Sequence, residues 1–170
     1  SELIQEGHRF RSQTDTEVIV HLIEKFYKSS SLEEATRRAL MELKGSFAIG
    51  VIAKKEPHKL VGARCGSPLI VGVGKDENFL ASDIPALLDY TKQVIFLEEN
   101  ELTVLEKNKI SIINLKGESI SRQPQQITWD IKEAQKQGFS HFMLKEINEQ
   151  PKVLENILRQ RLLKERDIFF

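Results

Sequence analysis

The feature that most narrows the fold is the spacing of seven short, β-rich segments between residues 46 and 115. SFAIGVIA (46–53), KLVGAR (59–64), LIVGVG (69–74) and NFLAS (78–82) come first, then QVIFLE (93–98), ELTVLEK (101–107) and KISIINL (109–115). Parallel neighbours need a crossover of about a dozen residues. Glu56-Pro57-His58, Gly66-Ser67-Pro68 and Lys75-Asp76-Glu77 instead read as turns. The strands are therefore predicted to be antiparallel, with 93–115 a second meander closed by KGES (116–119). GVGKDEN (72–78) has glycines but no lysine-plus-hydroxyl ending and runs into another strand, which predicts a hairpin turn and no phosphate loop. Phe47–Ala53 and Leu69–Val73 are apolar at successive positions, as strands inside a layered structure are.

Helical patterns flank this run. SELIQEG reads as the last turns of a helix, with Leu3 and Ile4 facing inward and Gly7 at its left-handed end. Such an opening predicts a native chain that starts before Ser1. Thr14-Asp15-Thr16-Glu17 has the form of a capping box, ahead of Val18, Ile19, Leu22, Ile23, Phe26 and Tyr27 at helical spacing. Ser31 and Glu34 form a second box before Leu32, Ala35, Ala39, Leu40 and Leu43, with Gly45 as the stop. Asp83 can cap a short helix with Pro85 in its first turn. After Pro124, QITWD (126–130) is extended and IKEAQKQG (131–138) forms one or two helical turns. HFMLKEINEQP (141–151) is helical to Pro151, and a further helix runs over 151–165. Helices grouped around antiparallel strands predict an α+β fold, two stacked sheets with helices 14–28 and 31–44 side by side on one outer face.

Lys+Arg and Asp+Glu both number 25, so the net charge is zero and offers no broad attraction to nucleic acid or an acidic membrane surface. No apolar run approaches the ~18 residues of a membrane span. The single cysteine, Cys65, excludes an intrachain disulfide and suits a reducing, cytoplasmic setting.

Few residues offer self-contained chemistry. Cys65 ends a strand with no histidine placed beside it by any motif, so it reads as structural. His8, His21, His58 and His141 are scattered without metal-ligand spacing, and no metal or cofactor is expected. Ser1 could serve as a terminal nucleophile only at the end of a buried strand, and it leads into a helix. The strongest local signal is Phe10-x-Ser12-x-Thr14-Asp15-Thr16-Glu17. Capping explains Thr14 and Glu17. Asp15 has two readings: a carboxylate favoured by the helix dipole, or a binding group at an exposed edge.

That stretch resembles the FxSxTDTE motif of the glucosamine-6-phosphate synthases, the glutamine:fructose-6-phosphate amidotransferases. Further similarities follow in order. Leu43-x-Gly45-Ser46-Phe47-Ala48 resembles LxGSYA, and Gly62-Ala63-Arg64-x-Gly66-Ser67-Pro68-Leu69 resembles ARxGSPL. Glu77–Asp83 is similar to ENFxASD, Val94–Glu98 to VIFLE, and His141–Pro151 to HxMxKEIxEQP. Together they cover residues 7–151.

The resemblance implies part of a four-layer αββα N-terminal-nucleophile hydrolase sandwich. In that family a first-residue cysteine attacks the glutamine side-chain amide. The released ammonia then passes to a sugar-isomerase domain that binds fructose 6-phosphate. The family's N-terminal cysteine and its HTRWATHG and HNG segments would precede Ser1. Residues 1–138 then correspond to the C-terminal part of the glutaminase domain, and 139–170 to a helical linker toward the sugar-isomerase domain. Asp15 is implied to pair with the α-ammonium of glutamine. A homo-oligomer is expected, and Phe142, Met143, Ile147 and Leu158 are expected to form a docking surface. The chain alone is expected to be inactive. The alternative is a non-catalytic binding or scaffolding module that keeps the fold.

Overall fold

A computed structural model describes residues 2–128 and 139–164, with side chains up to residue 158. The chain divides into two compact units, Ser1–Thr128 and Trp129–Phe170. The expected boundary at 138, the turns of 131–138, Trp129-Asp130 and Ser1 lie outside the described residues.

The first unit opens with α1 (Glu2–Gln5). Gly7 has φ 91°. Its N–H donates to the Ile4 carbonyl at 3.1 Å and that of His8 to Leu3 at 2.9 Å, a Schellman turn. Leu3 is buried as expected, whereas Ile4 is exposed, because one turn of helix can turn only one of two adjacent side chains inward. Helices α2 (Thr16–Tyr27) and α3 (Leu32–Glu42) follow. Ser31 caps α3 by accepting from the Glu34 N–H at 3.4 Å. The other half of that box does not form, because the Glu34 carboxylate pairs with Arg37 at 2.8 Å. The Glu56 carboxylate takes over at the helix start, accepting from the Leu32 N–H at 3.1 Å and the Tyr27 hydroxyl at 3.0 Å.

Two antiparallel sheets lie beneath the helices. The strands in chain order are β1 (Phe47–Val51), β2 (Leu60–Cys65), β3 (Ile70–Val73), β4 (Asn78–Ala81) and β5 (Gln93–Phe96), then β6 (Glu101–Glu106), β7 (Lys109–Asn114), β8 (Ser119–Ile120) and β9 (Gln125–Gln126). The first sheet has the order β1-β2-β6-β7-β8 and the second the order β4-β3-β5-β9. The 74–77 segment is the expected hairpin turn, with the Gly74 N–H on the Glu77 carbonyl at 3.1 Å.

Strand alternation sorts the two cores. Val61, Ala63 and Leu102 face the helices and pack with Leu22, Ile23, Phe26, Leu32, Ala35 and Ala39. The opposite faces of the two sheets meet through Leu105 and Ile112 on one side and Val71, Ile95 and Leu97 on the other. Gly62 marks a close approach, since a Cβ there would sit 2.8 Å from Leu80. On the far face of the second sheet Gly72 meets Leu87 and Thr91, next to a 3-10 helix over Ile84–Ala86 capped by Asp83.

Two expectations about the strands are corrected. The segments 93–98 and 101–107 do not pair with each other; β5 joins β3, and β6 crosses to β2. The chain therefore changes sheet at 66–69, at 97–100 and again at 121–124, and side chains fix the first two corners. Arg64 donates to the Leu97 carbonyl at 2.9 Å and pairs with Glu99 at 2.5 Å. Arg122 holds Glu98 at 2.8 Å and the buried Glu101 at 2.5 Å. Glu101, then Glu98, push the Arg122 guanidinium above its usual range. The second correction concerns β1. It is an edge strand, half-buried on one face with Ala48 and Gly50 exposed on the other, whereas β3 is buried along most of its length as expected.

In the second unit α4 (Phe142–Lys164) is one helix, with Pro151 inside it and not at a break. Pro151 has no N–H to donate to the Ile147 carbonyl, so the helix runs through it with one backbone bond fewer. Phe142, Met143, Ile147, Leu154 and Leu158 are exposed along it.

Leu102 is fully buried between α3 and the first sheet. Leu102→Ala should cost roughly 2–5 kcal/mol in urea unfolding, since a tightly covered site cannot collapse onto the cavity; a loss below ~1 kcal/mol would contradict this packing.

Candidate functional site

The loop before α2 is organised by one carboxylate. Glu17 accepts from the backbone N–H of Arg11 at 2.7 Å, from that of Ser12 at 2.7 Å, and from the Ser12 hydroxyl. The expected capping box is thereby replaced. Glu17 reaches beyond Thr14 to donors five and six residues back, and the Thr14 hydroxyl lies 3.2 Å from that of Ser12 instead of capping the helix. Three converging donors outcompete the single amide that a box would offer. The Ser12 hydroxyl, followed by the Arg11 amide, lowers the Glu17 carboxyl from its ordinary 4.5 to about 2.

Asp15 stands at the N-cap of α2 with a helical backbone and no side-chain cap bond. Its carboxylate is exposed. It accepts only a long contact from the Thr16 hydroxyl, at 3.5 Å, and has no cationic partner among the described residues. It lines a cleft of about 570 Å³ together with Thr16, Ser46, Phe47, Ala48 and Ser67. Three separate sequence segments thus meet at one place: the TDTE turn, the Gly45-Ser46-Phe47 start of β1 and the Gly66-Ser67 corner.

The corner is built for close approach. Gly66 has φ 73°, and a Cβ there would lie 2.3 Å from the Ser46 hydroxyl oxygen. The Gly66 N–H donates to Glu99 at 2.7 Å, and this bond holds the Glu99 carboxyl below the usual carboxylate range. Cys65 is half-buried beside this corner, opposite Phe47 in the strand register. His58 and His141 are exposed, and His58 is not among the residues that line the cleft.

One grouping was not foreseen. His8 and His21, thirteen residues apart, come together with Glu24 at the open side of the same loop. Their spacing is long-range; the local signs are Gly7, which turns His8 back, and the i,i+3 spacing that sets His21 and Glu24 on one helix face.

Because Glu17 binds its donors as the anion, its contribution is complete above pH ~4.5 and is lost as pH falls toward 2. Carbon-detected NMR should show the Glu17 carboxyl titrating near pH 2, with the Arg11 and Ser12 amides shifting in the same step. Titration near 4.5 would contradict the arrangement.

Comparison with known proteins agrees with this architecture. The family described as "Glutamine amidotransferase domain" matches residues 1–89. Glutamine--fructose-6-phosphate aminotransferase [isomerizing] of Aquifex aeolicus is 50% identical over 169 residues, 99% of this chain and 28% of the relative. An enzyme of the same name from Thermus thermophilus is 49% identical over 159 residues, 94% of this chain and 26% of the relative. The chain thus spans little more than a quarter of the length of these curated relatives. Among solved structures, glutamine phosphoribosylpyrophosphate amidotransferase from B. subtilis, complexed with ADP and GMP, aligns with a TM-score of 0.56 at 23% identity. The alignment covers 67% of this chain and 25% of that one, a likeness of fold alone. The stacked antiparallel sheets, the ordered motifs and the match over residues 1–89 together show that this chain belongs to the glutamine amidotransferase domain family.

Proposed function

We propose that this chain is the glutamine-binding part of an enzyme that transfers the amide nitrogen of glutamine to fructose 6-phosphate, giving glucosamine 6-phosphate. The observation that carries the proposal is Asp15: an exposed carboxylate without a cationic partner among the described residues, set in the wall of a cleft built from three motif segments. Such a group suits the α-ammonium of an amino acid, because a charge-assisted hydrogen bond in a closed site is stronger than a neutral one. The names of the relatives supply the reaction. No feature of the cleft favours a non-catalytic module.

Within this reading Asp15 orients glutamine and does not attack it. Amide hydrolysis also needs a nucleophile, a proton donor and oxyanion stabilisation. Among the described residues no histidine hydrogen-bonds the Cys65 thiol, so those roles fall to parts of the parent protein outside this chain, and the chain alone releases no glutamate from glutamine. The exposed apolar side chains of α4 are docking surface for the sugar-isomerase domain or a second copy in a homo-oligomer. Among the described residues no helix is long and apolar enough to cross a membrane; the setting proposed is the cytoplasm.

The test is Asp15→Asn in the full-length enzyme. Losing a hydrogen bond between charged groups costs about 1.5–3 kcal/mol, roughly a ten- to hundredfold rise in the KM for glutamine. The KM for fructose 6-phosphate should not move. Unchanged glutamine kinetics would remove Asp15 from the site.

A further inference from the structure

His8, His21 and Glu24 converge in a way that hydrogen bonding among the three satisfies only in part. His8 Nδ1 lies 3.2 Å from His21 Nδ1 and 3.1 Å from Glu24 Oε2, and His21 Nδ1 lies 3.4 Å from that same oxygen. Three atoms that each carry a lone pair thus form a nearly equilateral triangle. Each neutral imidazole can place at most one proton on its Nδ1 and the carboxylate brings none, so at most two protons serve the three lines of the triangle and at least one short contact has none. The two imidazoles are well enclosed, with side chains 6% and 13% exposed, so water does not relieve the crowding from their side. Glu24 is 60% exposed and closes the triangle from the solvent side.

The dimensions are those of a metal site. Bonds of about 2.0–2.1 Å in tetrahedral geometry place neighbouring ligand atoms about 3.3–3.4 Å apart, and the three distances observed are 3.1, 3.2 and 3.4 Å. The surroundings fit as well. His21 turns its other nitrogen, Nε2, toward Glu17 Oε1 at 3.5 Å. Nε2 is buried and makes no ordinary hydrogen bond there. A histidine bound to metal through one nitrogen usually presents its other N–H to a carboxylate, which fixes the ring. Phe10 packs against the His21 ring at 4.5 Å between centroids and limits its rotation. The cleft in front, about 510 Å³, leaves a fourth position open to water. Arg9, Arg11 and Lys28 line it together with Glu6 and Glu17, so side chains of both charges face the open position.

We propose that His8, His21 and Glu24 form a binding site for one divalent transition-metal ion of the zinc type, with two imidazole Nδ1 atoms and one carboxylate oxygen as ligands. The site is separate from the Asp15 cleft. It is nonetheless linked to it: a bound ion fixes His21, His21 faces Glu17, and Glu17 holds the loop that leads to Asp15. The ion is therefore a structural clamp on the amino-acid-binding loop.

The test uses the purified chain freed of metal with a chelator, and Zn²⁺ as the probe in competition with a chromophoric chelator. One equivalent should bind, and Mg²⁺, which prefers oxygen ligands, should not compete. Second-sphere changes alone cost 10–100-fold in metal affinity, so removal of a ligand should cost at least about tenfold. Glu24→Gln and His8→Gln should each show that loss, whereas Cys65→Ser and His58→Gln should not. Because Glu24 is exposed, Glu24→Gln keeps the fold. Zn²⁺ should raise the melting temperature of the wild-type chain and leave that of Glu24→Gln unchanged. Zn²⁺ binding that survives Glu24→Gln and His8→Gln, or that disappears with Cys65→Ser, would overturn the proposal, as would absence of binding to the wild type. None of these outcomes depends on the role proposed for Asp15.

Discussion

The functional end of this molecule depends on where Glu17 puts its carboxylate. A glutamate in the first turn of a helix already sits in a favourable field, because the exposed N–H groups there carry partial positive charge. Glu17 uses that position to gather two backbone amides and a hydroxyl from the preceding loop. The loop is thereby folded onto the helix start. On one side Asp15 is left facing a cleft with its carboxylate unspent. On the other, His21 is held against the same carboxylate, opposite His8 and Glu24. One ionised group thus sets the direction of two others with different chemistry.

The cleft needs a second fixed wall, which the sheet corners supply. Where the chain passes from β2 to β3 it must approach the start of β1 without a side chain between, and Gly66 allows Ser46 to come within contact. The corner is held from the neighbouring crossing, at 97–100, by Arg64 and Glu99. Because both crossings lie side by side and share these ion pairs, the two sheets and the cleft form one mechanical unit. The helices press on the first sheet through small residues, Ala35 and Ala39 against Val61, Ala63 and Leu102, which lets them lie close.

Much of the fold could be read from local pattern. The apolar spacing of 18–27 and 32–43, Ser31 as a cap, Gly7 and Gly45 as stops and the 74–77 hairpin are decided within a few residues, where short-range chemistry dominates. The strand partners could not be read that way. The corners at 66–69 and 97–100 have the length and composition of hairpin turns, and only packing of one sheet on the other decides that the chain crosses instead. Pro151 misled for a related reason: a helix interior disfavours proline, but a long helix with cooperative turns on both sides absorbs one lost hydrogen bond. Glu17 and Thr14 had the form of a capping box, and the competing donors at Arg11 and Ser12 were invisible until the loop closed. Asp15 stood out in the sequence as a residue that capping left unexplained. The pairing of His8 with His21 could not be anticipated, since it requires the Schellman turn at Gly7 and the helix to meet.

The most direct measurement is amide hydrogen exchange of Arg11 and Ser12 at neutral pH, in the wild-type chain and in Glu17→Gln. Both amides lie in an exposed loop, and the bonds to Glu17 are what would protect them. The account predicts slow exchange in the wild type and a loss of protection of at least about tenfold in the variant, since a neutral amide oxygen is the weaker acceptor. Fast exchange of both amides in the wild-type chain, or equal protection in Glu17→Gln, would contradict it.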